Sequence, residues 1–310
     1  MNTNKPLIAI LGPTAVGKTE TSLKLAEEFH GEIVSADSRQ VYRGMDIGTA
    51  KPTADEQRHA PHHLIDVVNP DEPFALSDYQ HHAYAAIADI HERGHIPLLV
   101  GGTGLYVRAV LEGLSIPRVA PDLGRRADLE KQDPGMLYVR LQQIDPAAAS
   151  KIDPRNMRRV IRALEVCEAT GKPISEQQTH YAPNLRVLRI GLTMPREKLY
   201  DRINARVDAM ISAGLVDEVQ GLIERGFTSK NTPAMSGLGY RQIEQYVLGH
   251  TSLEEAVRVL KRDTRRFVHH QYSWFRPDDT RIRWFDVSLV GHEAIRTVVA
   301  EFLKEIQNLG

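Results

Sequence analysis

The residues Gly12-Pro13-Thr14-Ala15-Val16-Gly17-Lys18-Thr19 satisfy the phosphate-loop pattern G-x-x-x-x-G-K-[ST] at every fixed position. The two glycines permit backbone angles that other residues resist, so successive N–H groups can turn inward around phosphate oxygens. Lys18 adds a mobile positive charge, and the Thr19 hydroxyl is the group that completes a Mg²⁺ shell in such loops. The apolar run Leu7-Ile8-Ala9-Ile10-Leu11 reads as the strand before the loop. Thr21, Leu23, Leu25 and Ala26 read as the helix after it, whose positive dipole end points at the bound anion. Strand, loop and helix together make a cradle for a diphosphate or triphosphate without saying which ester it holds.

A carboxylate follows the next apolar run. Asp37 stands in Ser35-Ala36-Asp37-Ser38-Arg39-Gln40-Val41-Tyr42. In an open α/β sheet ligands bind outside the carboxyl ends of the strands, so Asp37 and Lys18 should face one crevice. Asp37 there could hold Mg²⁺ through water, take a proton from a nucleophile that attacks the bound ester, or simply cap a turn. Further on, Val100-Gly101-Gly102-Thr103-Gly104-Leu105-Tyr106 puts glycines and a threonine where a nucleotide hydrolase often carries a metal-holding acid, which weakens an ATPase reading. Gly101 and Gly102 allow close backbone approach and Thr103 offers a hydroxyl to a ligand; alternatively the stretch is only a tight turn into a helix.

The elements that must position these groups are short apolar, β-branched runs at 7–11, 32–35, 96–100, 187–192 and 282–287, alternating with helical segments. That alternation predicts an α/β fold with a mostly parallel sheet flanked by helices. Between the third run and the fourth, residues 114–185 carry helical periodicity but no convincing strand. We read them as an inserted all-helical domain, opened by Ile116-Pro117 and Ala120-Pro121 and closed by Ala182-Pro183-Asn184, on a phosphate-loop core made of 1–113 and 186–310. Lys plus Arg (39) balances Asp plus Glu (40), so any nucleic-acid binding has to come from local basic patches. The single Cys167, at helical spacing among apolar neighbours, excludes an intramolecular disulfide or a zinc cluster built on cysteines and reads as core. No signal-like N-terminus and no apolar run long enough to span a membrane is present, so a cytoplasmic protein is expected.

The ordered set of motifs resembles the tRNA dimethylallyltransferase family over essentially the whole chain. It comprises the phosphate loop; Asp37-Ser38-Arg39-Gln40-Val41-Tyr42 with Gly44-Met45-Asp46-Ile47-Gly48-Thr49-Ala50-Lys51-Pro52; Pro61-His62-His63-Leu64-Ile65-Asp66; Gly101-Gly102-Thr103-Gly104-Leu105-Tyr106; Arg162-Ala163-Leu164-Glu165-Val166; and Gly239-Tyr240-Arg241-Gln242. The resemblance implies a P-loop NTPase-like core whose helical insertion grips the tRNA anticodon stem-loop. It implies transfer of a dimethylallyl group from dimethylallyl diphosphate to N6 of the adenosine at tRNA position 37, with release of diphosphate and with Mg²⁺ as cofactor. Asp37 then becomes the general base, and the loop holds a leaving group rather than a phosphoryl group in transfer. Thr103 orients the reacting groups, and Asp37, Ser38, Arg39 and Gln40 read the flipped adenine. Arg206, in Arg202-Ile203-Asn204-Ala205-Arg206-Val207-Asp208-Ala209-Met210, is carried over as the arginine on the diphosphate. Without the family it would read as an exposed arginine on an amphipathic helix.

For RNA contact, Arg155, Arg158, Arg159 and Arg162 recur at helical spacing, with Met157, Val160, Ile161 and Leu164 on the opposite stripe. The resemblance carries over the whole segment Arg158-Arg159-Val160-Ile161-Arg162, together with Gly239, Tyr240, Arg241 and one arginine of the pair Arg125-Arg126, for which Arg126 is preferred. A second basic run, Lys261, Arg262, Arg265, Arg266, His269 and His270, is expected to group on one helical face. Here His269 and His270 replace the Lys and Arg that family members carry before Gln271, which weakens the phosphate contact expected of that helix. Adjacent histidines diverge on a helix, so the 13 histidines do not suggest a metal site. A monomer is expected. The residues leave three other readings open: an isopentenyltransferase for free adenine nucleotides, for which a basic insertion is superfluous; an ATP-dependent phosphate-loop kinase; and a non-catalytic RNA-binding protein that uses the loop as a switch.

Overall fold

A computed structural model describes residues 5–117, 119, 122–177 and 184–308, so Ala120, Pro121, Ala182 and Pro183 lie outside the described residues. Strand β1 (Lys5–Leu11) hydrogen-bonds in parallel to β4 (Ile96–Gly101) on one side and β5 (Leu185–Thr193) on the other. Sandwiched between strands and covered on both faces, it is a continuous apolar run rather than an alternating one: Leu7 to Ile10 are wholly buried. With β2 (Gly31–Ser35), β3 (His62–His63) and β6 (Ile282–Asp286) the sheet has the order β3-β2-β4-β1-β5-β6, and every pair is parallel. The five apolar runs of the sequence are five of these strands. The edge strand β3 is two residues long and has no periodicity to read.

Register delivers the site. Leu11 pairs with Gly101 and Ser35 with Val100, so the phosphate loop, the Asp37 loop and the Gly102-Thr103 turn leave the sheet at one level of its carboxyl edge. One core (Ile8, Ile10, Leu25, Leu98, Ile190, Leu192) lies between the sheet and its helices. A second (Met45, Val207, Leu215, Met235, Tyr240, Leu260) packs the helices Arg196–Ser212, Leu215–Glu224, Tyr240–Val247 and Leu253–Trp274 around the loop that follows Asp37.

Contacts between Cα atoms divide the chain into Met1–Val107 with Asn184–Gly310, and Arg108–Pro183. The described part of the second unit is helical. Asp122, Asp133, Asp145 and Asn156 each cap a helix N-terminus through a side-chain oxygen, and proline stands in the first turn after Asp133 and Asp145. Its core is Leu129, Leu137, Leu141, Val160, Leu164 and Cys167, which places the single cysteine where its apolar neighbours put it.

Candidate active site

The phosphate loop needs its glycines for two reasons. Gly12 and Gly17 have φ of +142° and +109°, and a Cβ on Gly12 would lie 2.5 Å from the Leu192 carbonyl oxygen. Lys18 Nζ folds back to donate to the carbonyls of Gly12 (3.0 Å) and Pro13 (2.7 Å). Burial and then the Arg206 guanidinium bring its pKa down to about 7, against the opposing pull of Asp37. Arg206, on the helix Arg196–Ser212, donates to Thr14 Oγ1 at 3.5 Å, and Arg202 one turn earlier donates to the Val16 carbonyl at 3.4 Å. Three cations thus converge on one loop and spend their donors on weak neutral acceptors, an arrangement that an anion would stabilise.

Across the crevice, Asp37 Oδ1 accepts the Arg39 N–H at 2.8 Å, so the turn-capping role is real, while Oδ2 makes no hydrogen bond among the described residues. Thr103 Oγ1 accepts the Ser38 N–H at 3.1 Å, and the Thr103 N–H donates to the Ala36 carbonyl at 3.2 Å. The glycines around Thr103 are packing requirements: a Cβ would meet Ala36 O at 2.2 Å from Gly101, Gln271 Nε2 at 2.2 Å from Gly102 and the Trp274 ring from Gly104. Gln271 ties the two sides together. Its side-chain carbonyl accepts the Thr14 N–H at 2.8 Å and its amide donates to the Gly102 carbonyl at 3.2 Å, with the residue 4% exposed. Thr14, Asp37, Thr103, Arg206, Met210 and Gln271 all line one cavity of about 710 Å³.

Other residues singled out in the sequence are bonded within the chain, Arg39 while also lining the cavity. Arg39 donates to the carbonyls of Pro233 (2.9 Å) and Ala234 (3.2 Å). The Gln40 amide accepts from Ser35 Oγ at 2.9 Å and donates toward the carbonyls of Thr49 and Ala50, so both of its ends are engaged within the chain. Tyr240 is 1% exposed and donates its hydroxyl to Glu218 at 2.7 Å. Val160 and Ile161 are buried in the helical unit. The side chains of Tyr240, Val160 and Ile161 are therefore core. Gly239 (φ +91°) and Arg241 do line the cavity, Arg241 pairing with Asp263 at 3.3 Å.

The arginines of the helical unit divide in the same way. Arg126 and Arg162 both bind the buried carboxylate of Glu165, at 2.8 and 2.5 Å. Burial alone would raise the Glu165 pKa, but these two guanidiniums and the Asp122 N–H hold it at about 2. Arg158 and Arg159 are exposed and make no side-chain hydrogen bond or ion pair among the described residues. The second basic run does not form one face. Lys261, Arg265 and His269 meet Asp208, Asn204 and Tyr200 of the neighbouring helix, whereas Arg262, Arg266 and His270 line the cavity.

Sequence reasoning passed over three organising residues. Gln271 had a signal, being the member of its triplet that matches the family pattern. Glu218 accepts the N–H groups of Asp46, Ile47 and Gly48 besides the Tyr240 hydroxyl, and nothing in its neighbourhood announces that. Lys51 binds Asp46 and Asp66 at 2.5 Å each and the Tyr42 carbonyl at 2.8 Å, which locks two of the motif loops together.

The description of one matching family model is IPP transferase, over residues 40–278, and a second, isopentenyl transferase, matches residues 5–66. A tRNA dimethylallyltransferase of Roseiflexus sp. (strain RS-1) is 59% identical over 87% of this chain and 90% of its own, and that of Thermomicrobium roseum is 49% identical over 100% and 95%. Among solved structures, a tRNA isopentenylpyrophosphate transferase of Bacillus halodurans superposes with a TM-score of 0.73 at 44% identity, covering 98% of this chain and 99% of that one. A eukaryotic dimethylallyltransferase acting on tRNA gives 0.83 at 28% identity, covering 97% and 80%. The phosphate loop facing a carboxylate across one cavity is thus found in a chain that belongs to the IPP transferase family, the family of the tRNA dimethylallyltransferases.

Proposed function

We propose that the protein transfers the dimethylallyl group of dimethylallyl diphosphate to N6 of the adenosine at position 37 of tRNA, beside the anticodon, and releases diphosphate. The observation that carries this reading is the single cavity with Asp37 and Thr103 on one wall and Thr14 and Arg206 on the other. The adenine amine is a poor nucleophile because its lone pair is delocalised into the ring. Asp37 Oδ2 takes its proton as the new C–N bond forms, help worth about 10²- to 10⁴-fold. The C–O bond to the diphosphate breaks, and its electron pair leaves with the phosphate oxygens. Loop N–H groups, Lys18 and Arg206 stabilise that growing charge more than they stabilise the ground state. Thr103 holds the Asp37 loop in place through Ser38.

The Thr19 hydroxyl makes no hydrogen bond among the described residues, and it is a hard oxygen donor of the kind Mg²⁺ takes. No group of three His, Cys, Asp or Glu side chains that could hold a metal occurs among those residues, and Thr19 would hold Mg²⁺ together with the substrate's own phosphates. Bound there, the ion would offset charge on the leaving diphosphate.

The anticodon stem-loop is the partner we assign to Arg158, Arg159 and the cavity rim. We assign it action as a monomer and place it in the cytoplasm. No helix among the described residues is long and apolar enough to cross a membrane. Incubation with unmodified tRNA or AMP, each with dimethylallyl diphosphate or ATP, followed by mass analysis of the nucleosides, tests the reading. A dimethylallyl adduct on tRNA adenosine that needs the allylic diphosphate and not ATP is expected; adduct on AMP alone would overturn the tRNA assignment.

A further inference from the structure

Phe267 is 38% exposed, the one aromatic ring among the large apolar side chains left exposed in the described residues. It stands on the helix Leu253–Trp274 four residues before Gln271, hence about 6 Å from it along the axis. Gln271 marks the cavity floor through its bonds to Thr14 and Gly102, and Phe267 lines the same cavity, so the ring sits one turn above the floor, toward the mouth. It belongs to neither of the two cores described for this unit, and it stacks on no other ring among the described residues. Arg241, Arg262, Arg266 and His270 line the same cavity, Arg241 and Arg262 sharing Asp263 as their ion-pair partner. Arg266 is exposed and has no ion pair among the described residues.

A bare ring inside a cationic rim fits a flat apolar group tethered to phosphates, which is the chemistry of a nucleobase in a single-stranded RNA loop. We propose that Phe267 is a stacking platform for a base flanking the target adenosine. The target itself must go down to Asp37, whose loop is bonded to Thr103 at the floor, and this leaves its neighbour level with the ring. The inference rests on the tRNA reading above and deepens it. Stacking on an aromatic side chain is insensitive to base identity, so the platform supplies affinity and register, and sequence is read elsewhere.

The test uses full-length protein and a synthetic anticodon stem-loop carrying 2-aminopurine at either neighbour of the target adenosine, without dimethylallyl diphosphate. Wild-type protein should quench the probe at one of the two positions. F267L, which keeps apolar bulk and helix propensity, should relieve the quenching and raise Kd about tenfold. F267W should restore both. Equal quenching and equal Kd in F267L and wild type would overturn the proposal, as would quenching by wild type at neither neighbour of the target despite binding. A wild-type protein that fails to bind the stem-loop would instead overturn the tRNA reading beneath it, and the adduct assay distinguishes the two failures.

Discussion

The two oxygens of Asp37 are in different situations: Oδ1 accepts the Arg39 N–H at 2.8 Å, and Oδ2 has no partner among the described residues. Asp37→Asn preserves the first bond, since an amide oxygen accepts as well, and removes the basic group. Transfer should therefore fall by about 10²- to 10⁴-fold with the Kd for tRNA within about threefold of wild type, read by single-turnover adduct formation beside a binding titration. Lys18 gives a second expectation. With its pKa brought down to about 7 by burial and by Arg206, it loses its charge as pH rises through neutrality, and a diphosphate meets an uncharged amine. The KM for dimethylallyl diphosphate should rise between pH 7 and about 9, and in R206A, where one lowering cause is gone, the onset should move to higher pH. Lys18 and Asp37 could be singled out because they sit inside contiguous motifs, whereas Arg206 was reached only through the family resemblance. Gln271 and Glu218 were not singled out, because they act on backbone groups far away in the chain: Gln271 accepts from Thr14 across 257 residues.

Among the elements, the helix Leu253–Trp274 shows how a run of like residues is divided by geometry. At 100° per residue, positions 261, 265 and 269 keep one heading and 262, 266 and 270 the next, so one stripe meets Asp208, Asn204 and Tyr200 while the other faces the cavity. Which stripe faces what depends on a partner helix that local sequence does not specify. The five longer strands were legible from their apolar runs; β3 has only two residues and is held by pairing with Ile33 and Val34. In the helical unit, Glu165 is the element-scale keystone: it is 3% exposed and joins Arg126, Arg162 and the Asp122 N–H. Its carboxyl is held at about 2 against an ordinary 4.5. The stabilisation, of order 3 kcal/mol, is complete above pH 4.5 and is lost as pH falls toward 2. Glu165→Ala should remove a similar amount at pH 7, because it strands two partly buried guanidiniums, and it should flatten the acid limb of a denaturation series.

For the molecule as a whole, Lys plus Arg (39) and Asp plus Glu (40) leave a formal charge of −1, so long-range attraction to RNA cannot come from net charge. It has to come from arginines whose charge the protein does not already neutralise. The family resemblance puts Arg126, Arg158, Arg159 and Arg162 in one class; the buried Glu165 separates them, and its contact with Arg126 spans 39 residues. Arg126 and Arg162 carry a charge that is largely answered within the fold, whereas Arg158 and Arg159 stand exposed on the same helical unit with no partner among the described residues. The two classes should separate under salt. Each phosphate contact contributes roughly 0.7 to 0.9 to the slope of log K against log salt concentration. The double variant R158A/R159A should bind tRNA more weakly at low salt, with that slope reduced by about one to two, and with its thermal unfolding unchanged. Arg126→Ala should lower the midpoint of thermal unfolding and leave the slope near the wild-type value. A set of titrations across a salt series, with unfolding followed on the same samples, checks both halves; equal slopes for R158A/R159A and wild type would mean that the exposed arginines meet solvent rather than phosphate.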